Sequence, residues 1–336
     1  AIHYGIIPRS NRGIFAINEL PDLQPRIQVG LFNIMEEKDI QIRGFNVRIP
    51  LDVMIVFTAN PEDYTNRGNL ITPLKDRIDS QVLTHYPRTI EDAIKITDQE
   101  AWVQRDGRNI VIPQYFKEII EQIAFEARKS EFVDQKSGVS ARLTISAMEN
   151  LISNAERRAI LLKDPCVVPR ICDMPHALPG MTGKIELVFE GEQEGSVKVS
   201  KALTGKAVRE VFKKYFPDPL QRRPKERAES RLDESEYGKI VSWFESGNKV
   251  EIGDDLPIEA YLRELDRVKG LRDITRKYLK LPENSKYELA SAMEFVLDAL
   301  HQSSKIAKEE ADHMTSYKDL VGTIFNPKNK GVDEEF

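Results

Sequence analysis

Apolar residues in the first part of the chain form short runs separated by a helical pattern. The runs at residues 14–17 and 53–57 predict two buried parallel strands. Between them, residues 23–35 carry apolar positions at helical spacing. A strand, a helix and a second strand in this order predict an α/β domain with a parallel sheet.

A second pattern lies between that helix and the second strand, in the sequence DIQIRGFNVRI. A two-residue turn at Gly44 and Phe45 places Ile40 opposite Ile49 and polar residues on the other face, which predicts a hairpin. Such a hairpin is either a solvated edge or an element that contacts a partner in a pore or interface. Arg43 and Arg48 are the candidate contact residues.

The pattern becomes helical after Pro87, and it divides the chain into five predicted regions. They are an α/β core at residues 1–87, a helical lid at 88–163, an α/β extension at 164–216, a charged linker at 217–236 and a helical region at 237–336. Within the lid, Thr89 with Asp92 predicts a helix cap, and a second helix after Pro113 has one apolar stripe, formed by Phe116, Ile119, Ile120, Ile123 and Ala127. Within the third region, KIELVFEG is strand-like. In the last region, residues 284–312 predict a long amphipathic helix with a single apolar seam. The fold class is therefore α/β, with a mostly α-helical second half.

Composition excludes several classes of protein. The chain has 336 residues, 40% hydrophobic and 31% charged, with no apolar run long enough to cross a membrane. The net charge of -5 gives no general case for nucleic acid. Cys166 and Cys172 are the only cysteines, which fits a reducing cytosol rather than a disulfide framework. The five histidines never occur at metal-ligand spacing.

Polar and charged residues follow the strands in a fixed order. The first strand ends at Asn18 and Glu19, the second is followed by Asn60, Arg77 comes next, and Arg142 precedes a lid helix. The carboxyl ends of parallel strands meet at one edge of a sheet. Phosphoryl transfer needs a carboxylate that orients water, a polar group near the terminal phosphate, and arginines that absorb developing charge. Alone, each feature is more often a surface acid or a solvated arginine; their order and spacing favour a nucleotide site.

These segments resemble a ring-forming AAA+ ATPase of the branch that includes the magnesium chelatase ATPase subunit and the MoxR-like ATPases. GIFAINE is similar to the Walker B strand and DIQIRGFNVRI to the pre-sensor hairpin. FTANPEDYTNRG is similar to the sensor-1 segment, LKDRID to the arginine-finger segment and GVSAR to the sensor-2 segment. The resemblance covers residues 1 to about 216. It implies a partial AAA+ P-loop NTPase core, with ATP and Mg²⁺ as cofactors.

The resemblance assigns a role to each residue. It makes Glu19 the catalytic base, Asn60 the sensor that places water, and Arg77 a finger that reaches the next subunit's γ-phosphate, with Arg67 as the next candidate. It makes Arg142 the contact to the nucleotide of its own subunit. Asn18 stands where the family has an Asp that holds a magnesium-bound water. The amide keeps an oxygen acceptor but lacks the charge, so weaker Mg²⁺ binding is expected.

No Walker A sequence, Gly, four residues, then Gly-Lys-Ser/Thr, occurs in the chain. GMTGKIE and LTGKAV have the wrong spacing and lack the hydroxyl after Lys. Since the P-loop precedes the Walker B strand in this fold, it is expected upstream of residue 1. Without it, the polypeptide is expected to bind ATP weakly or not at all.

Three functions remain open. The first is a motor that remodels a partner protein, as a homo-oligomeric ring with a von Willebrand A domain protein as a possible partner. The second is an activator that remodels sigma-54, although no GAFTGA loop and no basic recognition helix occur in this sequence. The third is a scaffold in which Asn18 marks lost hydrolysis.

Overall fold

The computed structural model describes residues 3–42, 44–60, 70–105, 107–134, 138–220, 236–282, 285–311 and 314–320. The chain divides into two compact units, Ala1–His85 and Tyr86–Phe336. Arg43, Arg67, most of the predicted linker and the chain's last residues lie outside the described ranges. The mixed α/β fold class, with parallel strands in the first unit and mostly helices in the second, is confirmed.

The first unit contains four short strands and four short helices among its described residues. In chain order they are α1 (Ile6–Arg9), β1 (Ile14–Ile17), α2 (Pro25–Gly30), α3 (Phe32–Glu36), β2 (Asp39–Gln41), β3 (Arg48–Pro50), β4 (Met54–Phe57) and α4 (Thr72–Lys75), with a 3-10 helix at Leu20–Asp22 between β1 and α2.

Strands β1 and β4 pair in parallel, with Ile14 opposite Met54 and Ile17 opposite Phe57. The parallel arrangement agrees with the prediction, but the prediction that both strands are buried is wrong. Ile14 is 71% exposed and Met54 is 63% exposed. Alternate side chains of a strand point to opposite faces, and the cluster centred on Leu20 and the helices covers only one face of this pair.

Strands β2 and β3, which lie between α3 and β4 in the chain, form the predicted hairpin. Ile40 lies opposite Ile49, and the Ile42 amide donates to the Val47 carbonyl at 3.2 Å. Gly44 has a φ of +85°, a conformation that favours glycine, at the turn. The single helix expected at residues 23–35 is instead α2 and α3, which meet at Leu31.

A buried glutamine joins two distant parts of the first unit. The Gln28 side chain donates to the Leu23 carbonyl at 2.8 Å and accepts from the Ile71 amide at 3.1 Å. Loss of these hydrogen bonds would leave a buried amide without partners, which is costly. Gln28 therefore fixes the position of the chain that leads into α4. Helix α4 in turn precedes Arg77.

The second unit is mostly helical. In chain order its elements are α5 (Ile90–Glu100), α6 (Gln114–Ala127), α7 (Leu143–Leu162), a 3-10 helix (Ile171–Ala177), α8 (Pro179–Thr182), α9 (Phe189–Glu194), α10 (Ser196–Tyr215), α11 (Gly238–Glu245), β5 (Val250–Gly253), α12 (Ile258–Asp266), α13 (Leu271–Tyr278), α14 (Lys286–Gln302), β6 (Ala307–Ala311) and β7 (Met314–Lys318). None of the helices among the described residues is long and apolar enough to span a membrane.

Several helical predictions are confirmed by this arrangement. The Thr89 hydroxyl accepts from the Asp92 amide at 3.1 Å and caps α5. The predicted apolar stripe of α6 is buried throughout. Helix α14 lies at the centre of the unit, and its residues from Leu289 to Leu300 are buried on every side rather than on one seam.

Other predictions for the second unit are wrong. The strand-like KIELVFEG makes only isolated bridges, at Ile185 and Leu187, and Phe189 begins a helix. The helix expected at residues 284–312 ends at Gln302, and β6 follows it. Strands β5, β7 and β6 form a three-stranded antiparallel sheet in that order, so residues 237–336 are not purely helical. Helical and strand periods are hard to separate in such short apolar segments.

A buried polar network holds the 3-10 helix at Ile171–Ala177 in place. The Asp173 carboxylate accepts from Arg158 Nη2, from the Asn154 side chain and from the Arg170 amide, each at 2.8 Å. The Glu294 carboxylate of α14 accepts from the Ile171 amide at 2.8 Å. These bonds satisfy backbone groups in a segment that has no regular hydrogen-bond ladder.

Glu294 makes the stability of this unit depend on pH. Burial raises the pKa of Glu294 from 4.5 to about 7. The folded protein therefore keeps a proton that the unfolded chain has lost, and folding stability falls as the pH rises from about 4.5 to about 7. The loss is on the order of 3 kcal/mol.

We expect Glu294→Gln to remove this dependence, because the amide does not titrate. Urea unfolding of both proteins from pH 4 to pH 8 measures the difference in unfolding free energy. That difference should shift in favour of the variant as the pH rises, and then level off. If the unfolding free energies of the two proteins changed equally with pH across this range, Glu294 would not be the group responsible for the pH dependence.

Candidate active site

The ends of β1 and β4 lie side by side and bring the predicted polar residues to one edge. The Thr58 amide donates to the Ile17 carbonyl at 3.0 Å, which continues the pairing one residue beyond β4. The Leu20 amide then donates to the Thr58 carbonyl at 2.9 Å. These two backbone hydrogen bonds fix the chain on both sides of Asn18 and Glu19.

The Thr58 side chain adds two contacts to this edge. Its hydroxyl oxygen accepts from the Glu19 amide at 3.1 Å, and it lies 3.5 Å from Asn18 Oδ1. Since Thr58 is β-branched, its χ1 angle is restricted, and the hydroxyl is held in position. Thr58 therefore connects both residues of the first strand's end to the second strand.

Glu19 has a backbone conformation that is uncommon for its residue type. Its φ is 52° and its ψ is 54°, in the left-handed region. A non-glycine residue in this region costs on the order of 1 kcal/mol and persists where neighbouring contacts fix it. The sharp turn sends the chain into the 3-10 helix and leaves the Glu19 carboxylate exposed at the edge.

The groups at this edge suit a hydrated magnesium ion. Asn18 and Glu19 are both exposed and offer an amide oxygen and a carboxylate, which are hard oxygen ligands. Mg²⁺ keeps several water molecules and needs few protein ligands. Among the described residues, at this edge as elsewhere, no group of three His, Cys, Asp or Glu side chains could hold a metal ion, so most ligands of such an ion would be water or phosphate oxygens.

Asn60 follows the second strand after Thr58 and Ala59 and is exposed. It is the last described residue before the segment at 61–69, so most of the sensor-like sequence and Arg67 lie outside the described residues. The strand pairing places Asn60 on the same edge as Asn18 and Glu19.

Arg77 lies after α4, and each of its three guanidinium nitrogens contacts an oxygen atom of the first unit. Nε donates to a Glu36 carboxylate oxygen at 2.8 Å, Nη2 contacts the same oxygen at 2.7 Å, and Nη1 donates to the Pro73 carbonyl at 2.8 Å. The guanidinium also lies 4.7 Å from the Phe32 ring centroid. These contacts hold Arg77 against α3.

Arg142 belongs to the second unit. It is the residue that precedes α7, its backbone amide donates to the Ser140 hydroxyl at 3.2 Å, and it is exposed. The structure thus brings Asn18, Glu19 and Asn60 to one edge, while Arg77 lies against α3 and Arg142 begins a lid helix.

Two contributors to the site were not predicted. Thr58 is the first polar residue after an apolar strand, a position from which its role could have been inferred. Glu36 lies in a helix with other acidic residues nearby, and the sequence offers no signal that it pairs with Arg77 forty-one positions away.

Comparison with known proteins supports a nucleotide-dependent domain at this end of the chain. Residues 1–83 match the family model of the sigma-54 interaction domain. An archaeal Lon protease from Thermococcus kodakarensis is 30% identical over 141 residues, which cover 37% of this chain and 21% of that protein. The chain thus spans about a fifth of the length of that curated relative.

A solved structure described as a candidate ATPase from Cytophaga hutchinsonii is also similar. It is 17% identical, covers 56% of this chain and 64% of the other chain, and gives a TM-score of 0.23, which is too low to carry an argument. The family and sequence matches support an AAA+ ATPase-type domain. They do not distinguish the magnesium chelatase and MoxR-like branch from the sigma-54 activators.

The Arg77 contacts give a test of how firmly this side chain is held. Glu36→Gln should weaken them, because the amide keeps one acceptor oxygen but loses its charge. The Arg77 Nε–H group should then show a lower order parameter in ¹⁵N NMR relaxation. Since surface ion pairs contribute at most about 1 kcal/mol, the unfolding free energy should change little.

Glu37→Gln, at the next position and without this contact, is the matched control. An Arg77 signal that is equally rigid in both variants would show that the Pro73 carbonyl and the Phe32 ring hold the side chain without Glu36.

Proposed function

We propose that the first unit carries the water-activating half of an AAA+ ATPase site, and that the protein couples ATP hydrolysis to remodelling of a partner protein. The observation that carries this proposal is the shared edge of β1 and β4, where Thr58 contacts Asn18 and Glu19 and Asn60 follows two residues later. A carboxylate and two amide side chains at the carboxyl ends of parallel strands suit phosphoryl transfer to water.

Glu19 is the proposed general base, which orients the attacking water. Its exposed carboxylate and its fixed backbone support this role, because a base must be held within hydrogen-bond reach of the water it activates. Asn60 would help to place the same water. Asn18 would accept a hydrogen bond from a water on Mg²⁺, and the bound Mg²⁺ would supply positive charge at the phosphates.

Arg77 is the proposed arginine finger, directed to a nucleotide in a neighbouring subunit of a ring. Its guanidinium must first leave the Glu36 carboxylate and the Phe32 ring. Glu36 is 56% exposed at its side chain, so the pair is weakly held and can exchange. Arg142, exposed at the start of a lid helix, is the proposed contact to the nucleotide of its own subunit.

The β2–β3 hairpin is the proposed contact to the partner protein. Phe45 is 72% exposed near its turn and Val47 is 46% exposed. Arg48 forms an ion pair with Asp39 at 3.3 Å. An exposed aromatic side chain on a short hairpin is suited to contact with a remodelled protein. A von Willebrand A domain protein is one candidate partner.

Remodelling of sigma-54 is the second candidate function. The match of residues 1–83 to the sigma-54 interaction domain favours it directly. The magnesium chelatase and MoxR-like branch is favoured by the hairpin between α3 and β4. Binding of purified sigma-54 to the native protein in the presence of an ATP transition-state analogue separates the two candidates.

The assignment of Glu19 predicts the behaviour of one variant. In a preparation of the native protein that binds ATP, Glu19→Gln should leave nucleotide binding intact and abolish steady-state hydrolysis, because the amide cannot accept the proton of water. Phosphate release and fluorescent-nucleotide titration measure the two properties. Asp22→Asn, an exposed change three residues away, should leave both unchanged. Hydrolysis that persists in Glu19→Gln would exclude Glu19 as the base.

The assignment of Arg77 predicts a loss that depends on assembly. In assembled rings, Arg77→Ala should lower turnover by about 10³-fold, because a finger supplied in trans stabilises the transition-state charge. Arg26→Ala, on the exposed side of α2, is the control and should retain turnover. Unchanged turnover of Arg77→Ala in rings of normal size would show that another arginine, such as Arg67, is the finger.

A further inference from the structure

The second unit contains a cavity of about 280 Å³ that no residue of the candidate active site lines. It lies between the 3-10 helix at Ile171–Ala177, α10, the end of α14 and the edge strand β6. One wall is apolar and is formed by Ile171, Met174, Leu178 and Val208, all of them buried. A cavity of this size with an apolar wall suits a small organic molecule.

On the side that β6 forms, the cavity is lined by charged residues, Lys308 and Glu310. The Lys308 ammonium contacts Asp298 Oδ1 at 2.9 Å and Glu310 Oε1 at 2.8 Å. Its side chain is only 11% exposed. Burial opposes the charge on Lys308, but the carboxylates beside it raise its pKa well above the usual value. The Lys308 ammonium is therefore a charged group of the cavity wall, and the two carboxylates beside it balance its charge.

Glu310 is the group at this end that a ligand can most readily replace. Its carboxylate reaches two ammonium groups, Lys308 at 2.8 Å and Lys201 at 4.0 Å. The Glu310 side chain is 41% exposed, whereas Asp298 is 3% exposed and stays with Lys308. The Lys201 pair is long and exposed, and such pairs contribute little stability. Displacement of Glu310 would leave two lysines facing the cavity.

His301 provides a third polar group. Its Nδ1 lies 3.2 Å from the Ile306 carbonyl oxygen, which can only accept, so Nδ1 carries the ring proton. Nε2 is then the ring atom that can accept a hydrogen bond.

We propose that this cavity binds a small amphipathic carboxylate, whose apolar tail lies on Ile171, Met174 and Val208 and whose carboxylate takes the place of Glu310 between Lys201 and Lys308. The protein's own carboxylate marks the position that the ligand's carboxylate occupies. An amine ligand would face two ammonium groups and is disfavoured, and a neutral ligand would leave the lysines without a new partner.

Octanoate, octylamine and octanol test the proposal, because they share a tail and differ in the polar end. Isothermal titration calorimetry with the full chain should show saturable binding of octanoate at one site and no comparable binding of the other two. Lys201→Ala should weaken octanoate binding about two- to fivefold, the effect of losing one exposed ion pair. Glu310→Gln should strengthen it severalfold, because the competing carboxylate loses its charge.

Matched control variants distinguish octanoate binding in the cavity from nonspecific binding to the protein surface. Lys198→Ala on α10 and Glu309→Gln on β6 change the same residue types outside the cavity and should leave octanoate binding unchanged. Thr204→Phe, which narrows the cavity, should abolish it. No octanoate binding to the unmodified chain, equal binding of octylamine, or binding that is unchanged by Lys201→Ala and Glu310→Gln would overturn the proposal.

Discussion

The parallel pairing of β1 and β4 is the constraint on which the candidate site depends. The pairing fixes the register from Ile14 opposite Met54 to Ile17 opposite Phe57, and a shift by one residue would turn every side chain to the other face. Because the register is fixed, Asn18, Glu19 and Thr58 emerge at the same level of the sheet. Thr58 then bonds the Glu19 amide, and the left-handed conformation of Glu19 aims its carboxylate outward. The chemistry proposed for this edge follows from that alignment.

In the proposed function, Arg77 connects this edge to the assembly of subunits. Glu19 and Asn60 occupy a strand end that any phosphate-bearing ligand could approach, but Arg77 is held by Glu36 and Phe32 in its own unit. If the finger acts on a neighbouring subunit, exchange of Arg77 between Glu36 and a phosphate couples the two subunits. The cost of that exchange is small, since the ion pair is partly exposed. Gln28 contributes by fixing the approach to α4, so that the release of the side chain need not move the helix.

Much of the fold could be predicted because local signals and tertiary packing agree. The hairpin register followed from the alternation of residues 39–49, and the cap of α5 and the apolar stripe of α6 matched the structure. The predictions failed where packing overrides the local pattern. Ile14 and Met54 are apolar yet exposed, α14 is buried on all sides, and β6 continues a segment with helical spacing. In the site, the identities at the strand ends were visible in the sequence, whereas the pairs Thr58 with Glu19 and Arg77 with Glu36 depend on contacts between distant positions.

The central claim is that the edge formed by Glu19 and Asn60 faces the terminal phosphate of a bound nucleotide. A structure of the native protein with Mg²⁺ and a non-hydrolysable ATP analogue tests it most directly. We expect a water in line with the terminal phosphate, at about 2.6–3.2 Å from the Glu19 carboxylate, with Asn60 contacting the same water or the phosphate. A nucleotide bound with its terminal phosphate away from the ends of β1 and β4 would contradict the claim.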